Sequence, residues 1–399
     1  MILTAKFSFM EQWKQDRLID ILDTLIDYRG KTPNKVERGI PLITAKIVKN
    51  GRIETPTEFL PAEEYRDWMV RGYPQVGDVV LTTEAPLGEV AQLKDDKIAL
   101  AQRIVCLRGK EDVLDNTYLK YFLMSNIGQY RLKARETGTT VTGIKQSELK
   151  EVLIDYPNYE LQQKIASILS SLDSKIELNR RINDNLEQQA QALFNYYFID
   201  NRNKLGDYTE SNLTQIATYL NGLAMQKYRP SYGEIGIPVL KIKELGQGFC
   251  DISSDLCSSS IRSEYIVNDG DIIFSWSGTL MIDTWCGGTC GLNQHLFKVN
   301  SELYPQWFIY FWTNHHLDKF IRVAKDKAVT MGHIKRSELV GSEVIIPSKT
   351  TLGNLDKIFN PIFEESTSKK IENRKLEEVR NTLLPKLMSG ELKINDFNR

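Results

Sequence analysis

Catalysis and metal binding need particular side chains at particular spacings, and several groups in this 399-residue chain invite the test. Gly138 to Lys145, GTTVTGIK, has the glycines of a phosphate-binding loop, but its spacing is G-x-x-x-x-G-x-K. The lysine stands one place late, and no Ser or Thr follows it directly. The segment reads instead as a polar loop whose glycine and hydroxyl residues can approach a phosphate backbone, matched later in the chain by AKDKAVTMGHIK, Ala324 to Lys335. Cys250, Cys257, Cys286 and Cys290 suggest a four-thiolate zinc site until the spacing is inspected. The first gap of six residues is wider than usual ligand pairs, and the first half of the chain has no counterparts. With Cys106 the cysteines number five, an odd count thinly spread, which reads as reduced thiols rather than a disulfide framework. The histidines, His295, His315, His316 and His333, form no metal-ligand pattern, and no catalytic triad assembles from spacing. No catalytic residue, metal or cofactor is expected in this chain.

Asn360-Pro361-Ile362-Phe363 echoes the N-P-P-[YF] motif of amino-methyltransferases. It lacks the second proline, lies in helical sequence and follows no glycine-rich cofactor loop.

What the loops do offer is nucleic-acid chemistry: Arg and Lys for guanine, Asn and Gln for adenine, basic and hydroxyl groups for phosphate. Candidate DNA contacts are Lys31, Lys46, Gln102, Arg103, Thr139 and Lys145 in the first half. Their counterparts in the second half are Lys227, Lys243, Trp276, Gln294, His295 and Lys335. Charge places a limit on this reading. Basic and acidic residues number 23 and 23 in 1–157, 6 and 6 in 158–204, and 22 and 23 in 205–399, for a net charge of −1. A protein that grips DNA alone and non-specifically carries a positive excess, so local patches and partner subunits must supply the attraction here.

These loops recur because the chain is a tandem duplication. Ile144-Lys145-Gln146-Ser147-Glu148-Leu149 returns 190 positions later as Ile334-Lys335-Arg336-Ser337-Glu338-Leu339. GDVVL at Gly77 returns as GDIIF at Gly270, GIPLI at Gly39 as GIPVL at Gly236, and LAQR at Leu100 as LNQH at Leu292, all in the same order. Residues matched in both copies, such as Lys46 with Lys243 and Gln102 with Gln294, are expected to grip backbone or hold the fold. The base readers should lie among unshared residues.

Within each copy, short β-branched and aromatic runs alternate with Gly, Pro and Asp, predicting a mixed, mostly β unit. After Pro157 the character changes: Leu161 to Phe198 holds no Gly or Pro across 38 residues and predicts one long helix. Its apolar stripe, Leu161, Ile165, Ile168, Leu172, Ile176, Ile182, Leu186, Ala190, Leu193 and Tyr197, is interrupted by Asn179, a polar seam residue of the kind that fixes register. The second copy ends in similar sequence, roughly 352–388, with Ile371, Leu376 and Leu383 apolar. Pro361 inside it predicts a helix that bends or starts late. Ile165, Leu172, Ile176, Asn179, Leu186, Leu193, Ile371, Leu376 and Leu383 are thus the expected helix-pair and partner interface. An antiparallel pair would place the globular copies at opposite ends about a pseudo-two-fold axis. A 37-residue helix, about 55 Å long, exceeds the roughly 34 to 36 Å between major grooves one turn apart. The pair could therefore act as a ruler.

The segment from Leu161 to Phe198 closely resembles the central conserved region of type I restriction-modification specificity subunits, and LLPKLMSGEL, Leu383 to Leu392, resembles their second conserved region. With the duplicated units the resemblance spans essentially the whole chain. It implies a non-catalytic subunit that recognises an asymmetric bipartite site in double-stranded DNA and docks two modification subunits and restriction subunits. It places S-adenosylmethionine and ATP in those partners. The expected fold is α+β: two similar target-recognition domains, 1–157 and 208–347, each followed by a long helix, 158–200 and within 348–399, with 201–207 as linker. The helices form an antiparallel coiled-coil spacer. With 41% hydrophobic residues, no membrane-length apolar run and no export signal, the location expected is cytoplasmic. A stand-alone bipartite DNA-binding regulator and the recognition portion of a restriction-methylation fusion enzyme are the competing readings. The first predicts tight DNA binding by the isolated chain, and the second a cofactor loop.

Overall fold

In the computed structural model, residues 13–28, 30–138, 142–326 and 333–392 are described. They divide into two compact units, Met1–Ser174 with Glu378–Arg399, and Lys175–Glu377. Each unit takes one globular copy and a stretch of both long helices.

In the first unit, Lys14–Arg17 pairs antiparallel with Leu153–Tyr156, so the start of the copy is stitched to its end. Between them an antiparallel sheet runs in the order Leu22–Asp27, Ile104–Gly109, Val79–Thr83, Leu87–Gln92. A smaller sheet sets Ile40–Ile43 antiparallel to Phe59–Leu60 and parallel to Ala99–Leu100. The second unit repeats this plan. Tyr208–Asn212 pairs with Glu343–Pro347, and the main sheet runs Thr218–Asn221, Leu296–Asn300, Ile272–Ser275, Met281–Thr284. The smaller sheet sets Ile237–Leu240 beside Leu256–Cys257 and, in parallel, beside Cys290–Leu292.

The repeated sequence blocks have a structural cause. Gly77 and Gly270 both sit at φ 92°, a conformation that favours glycine. The next residue closes the turn: Asp78 accepts from the Gln75 amide at 2.8 Å, and Asp271 from the Asn268 amide at 2.8 Å. Each carboxylate also meets a cation from the neighbouring strand, Arg108 Nη2 at 2.7 Å and Lys298 Nζ at 2.7 Å. Likewise Ile144 and Ile334 are buried and donate their amides to Thr83 O (2.9 Å) and Trp276 O (3.1 Å), while Leu149 and Leu339 anchor the short helices that follow.

The long helices are Tyr159–Phe194, extended by a wider-wound turn Asn195–Asp200, and Lys349–Met388. Within each unit they run antiparallel. In the first, Ile165, Ala166 and Leu169 share a core with Leu384, Leu387 and Met388. In the second, Ala190, Phe194 and Phe198 share one with Leu355 and Phe359. The expected late start of the second helix is corrected: it begins at Lys349 and remains helical through Pro361. Interior proline costs about 3 kcal/mol, and burial of Phe359, stacked 4.3 Å from Trp307, offsets it on the apolar face. The segment 201–207, read as a linker, carries a short helix Arg202–Leu205 whose Leu205 is buried in the second unit's core.

Candidate nucleic-acid interface

In the first copy, two parallel strands, Ile40–Ile43 and Ala99–Leu100, deliver their carboxyl ends side by side, with the Ala101 amide bonded to Ile43 O at 2.9 Å. Lys46 stands exposed on the turn after one, and half-buried Gln102 lies on the turn after the other. Gln102 Oε1 accepts from Thr32 Oγ1 at 3.2 Å, which brings exposed Lys31 to the same edge. Arg103 Nε meets Glu84 at 2.9 Å, and Glu84 bridges to Gly143, two residues before exposed Lys145. The structure therefore gathers Lys31, Lys46, Gln102, Arg103 and Lys145 around one rim. Thr139 lies outside the described residues.

The second copy builds the corresponding rim with different side chains. Asn293 N bonds Leu240 O at 3.2 Å where the parallel strands end, and Gln294 and His295 follow. His295 lies 6.1 Å from Trp276, whose Nε1 donates to Asn221 Oδ1 at 3.0 Å and whose ring also meets His333 at 6.3 Å. His295 Nδ1 is buried with no hydrogen-bond partner among the described residues. Lys335 follows the Ile334 anchor, and Lys227 is exposed on a short helix that follows the Leu223 bridge to Asn293. Lys243 reaches Asp251 at 3.2 Å and Ser253 at 2.8 Å, so its ammonium is already held within the copy. Glu84, Thr32, Asn221 and His333 join the rims without having been marked by sequence reasoning.

The helix seam is more polar than the apolar stripe suggests. Ile165, Ile176 and Asn179 are buried, whereas Leu172, Leu186, Leu193, Ile371, Leu376 and Leu383 are half-buried. Gln162, Asn183 and Asn373 are buried as well. Asn179 Nδ2 donates to Asn373 Oδ1 at 2.9 Å, and Asn373 Nδ2 to Ile176 O at 3.2 Å, flanked by Arg180–Glu377 at 2.8 Å. Asn183 and Asn373 are themselves related by the 190-residue displacement, a signal that could have found them. In the first unit, Asp173 accepts from Lys120 Nζ (2.8 Å), Tyr121 OH (2.6 Å) and Arg380 Nη1 (2.8 Å), tying the globular copy to both helices. Burial draws the Asp173 carboxyl upward, but Lys120, Tyr121 and Arg380 outweigh it and hold the group below its ordinary value.

Among the described residues no group of His, Cys, Asp or Glu stands where it could hold a metal, and no helix is long and apolar enough to cross a membrane. A polar pocket of about 270 Å³ in the second unit is lined by paired ions, Arg180, Glu377, Lys370 and Asp283 among them.

Residues 10–188 match the family described as type I restriction modification DNA specificity domain. A curated relative, the type I restriction enzyme MjaIX specificity subunit of Methanocaldococcus jannaschii, is 28% identical over 92% of this chain and 91% of its own length. The chain is similar to type I restriction-modification specificity subunits. Another relative, the type I restriction enzyme HindI specificity subunit of Haemophilus influenzae, is 21% identical over 74% of this chain and 82% of its own length. In fold the chain is similar to the crystal structure of the type I restriction-modification system S subunit from M. genitalium, with a TM-score of 0.56 at 18% identity, covering 96% of this chain and 98% of that one. The likeness in fold thus spans both copies and both long helices.

Proposed function

We propose that this chain reads DNA sequence for a type I restriction-modification complex, each globular copy recognising one half of an asymmetric bipartite target. The observation that carries the reading is the pair of matched rims: one scaffold built twice, presenting Gln102, Arg103 and Lys145 in one copy and Trp276, Gln294, His295 and Lys335 in the other. Two different half-sites with an unread gap suit such a chain, and the antiparallel helices would set that gap. The chain is non-catalytic in this reading. Two modification subunits dock along the helices and transfer methyl groups from S-adenosylmethionine to adenine, and restriction subunits use ATP. The near-zero net charge favours this over a stand-alone regulator, because the partners then supply much of the phosphate attraction.

Co-expression with the modification subunits of the same cell tests it. The expected result is a stable complex that methylates adenines in one bipartite motif, together with weak binding by the isolated chain at physiological salt. Tight, sequence-specific binding by the isolated chain, without methylation in the complex, would favour the regulator instead.

A further inference from the structure

Just ahead of the repeated Gly-Ile-Pro, each copy carries a turn with the same frame and different tips. The segments are Pro33-Asn34-Lys35-Val36-Glu37-Arg38-Gly39-Ile40-Pro41 and Pro230-Ser231-Tyr232-Gly233-Glu234-Ile235-Gly236-Ile237-Pro238. The prolines, the glutamate and the Gly-Ile-Pro coincide, while the residues between them do not.

The frame is rigid in both copies, by means that can be named. Gly39 and Gly236 press against the adjoining short strand: a Cβ there would lie 2.2 Å from Leu60 O in the first copy and 2.8 Å from Cys257 O in the second. Only glycine allows that approach. The first turn is further held by Val36 N to Phe59 O at 2.9 Å. The second is closed by Glu234, which accepts from Ser231 N (2.9 Å), Ser258 Oγ (2.6 Å), Ser259 N (2.8 Å) and Ser259 Oγ (3.1 Å).

The tips differ in chemistry. Arg38 is exposed in the first copy, as is Lys35 in a surface ion pair with Glu58 at 2.8 Å, whereas Tyr232 and Ile235 are almost wholly exposed in the second. Tyr232 and Ile235 stand three residues apart on one stapled turn, an exposed apolar pair that an external partner can cover. Exposed Lys227 and Arg229 flank them, the charge a phosphate backbone complements. The first turn also reaches its rim directly, through Thr32 bonded to Gln102 at 3.2 Å. A planar ring and a branched apolar side chain suit thymine methyls or a wedge at a flexible base step, and Lys and Arg suit guanine edges.

Resting on the DNA-reading function proposed above, we propose that these two turns determine specificity, Lys35 and Arg38 for one half-site and Tyr232 and Ile235 for the other. A shared frame with unshared tips is what two readers of different half-sites require.

The test uses the complex with its modification subunits and three duplexes: one carrying the mapped methylation site and two with one half-site scrambled. Tyr232→Ala with Ile235→Ala should lower discrimination at one half-site by at least about tenfold and leave the other half-site and non-specific affinity unchanged. Lys35→Ala with Arg38→Ala should do the same at the opposite half-site. Unchanged discrimination, or equal loss at both half-sites, overturns the assignment. So does loss of co-purification with the modification subunits, which would make the turns a protein interface. A wild-type complex that discriminates neither half-site would instead overturn the DNA-reading function itself.

Discussion

Asp173→Ala in the first unit isolates an electrostatic node that ties a globular copy to both helices. The side chains of Lys120, Asp173 and Arg380 are 8%, 21% and 13% exposed. Removing the carboxylate leaves two cations and the Tyr121 hydroxyl without their acceptor. Breaking such a buried pair costs about 3–5 kcal/mol. Lys120 can limit the loss by shedding its proton, since burial already holds its ammonium below the ordinary value against the pull of Asp173, so the lower figure of about 3 kcal/mol applies. At about 2–4 °C per kcal/mol for a unit of this size, the melting temperature of that unit should fall by about 6–12 °C in calorimetry at pH 7. The pH matters. Asp173 titrates lower in the fold than the ordinary unfolded value of about 3.9, so its contribution is complete above about pH 4 and is lost as pH falls through the depressed folded value. The duplication supplies the control. The positions 190 residues away from Lys120, Tyr121 and Asp173 are Tyr310, Phe311 and Phe363, and the position 190 residues before Arg380 is Ala190. There the node is apolar, with Tyr310 and Phe363 rings 5.6 Å apart. Installing that set, Lys120→Tyr, Tyr121→Phe, Asp173→Phe and Arg380→Ala together, should return stability to within about 2 kcal/mol of wild type. A melting shift under about 2 °C for Asp173→Ala would refute the reasoning, since it would mean the node is solvated and holds nothing.

Two further outcomes are expected. Pro361→Ala should raise the unfolding free energy of the second unit by about 2 kcal/mol, the helix-interior penalty less the proline's restriction of the unfolded chain. Unchanged or lower stability in urea denaturation would show that packing around Phe359 depends on the proline. Burial lowers His316 to about 4, against a weaker opposing bond with Glu343 O. Its neutral form is therefore favoured in the fold, and the unfolded chain takes up the proton first. The stability due to this group is complete above about pH 6.5 and is lost between there and about pH 4. Melting curves at pH 7 and pH 5 should converge in His316→Gln relative to wild type, and an unaltered pH dependence would contradict this.

The duplication, the mixed α+β units and the long helices were legible in the sequence because each leaves a periodic or repeated trace. The function of the repeated blocks was less so. Gly77-Asp78 and Gly270-Asp271 repeat because they close a turn and hold a cation from the next strand, not because they touch a ligand. The buried edge of the first helix includes Gln162 and Asn183, which hydrophobic periodicity passes over. Gln162 is there because its amide donates to Val113 O at 2.9 Å and Pro157 O at 3.0 Å, a tertiary need no helical period encodes. Pro361 signalled a break that long-range packing overrides. The turns at Pro33 and Pro230 escaped because their shared residues are few and separated, so only the common strand contact reveals them as one frame.

The most direct test of the central claim is to exchange residues 208–347 for the matching segment of a related specificity subunit and map adenine methylation by the assembled complex. Each copy closes on itself through its own terminal strand pair, Lys14–Arg17 with Leu153–Tyr156 and Tyr208–Asn212 with Glu343–Pro347, so the exchange leaves the first copy intact. The expected motif is changed in one half only, with the other half and the gap between them preserved. A motif altered in both halves, or methylation at one continuous site, would contradict it.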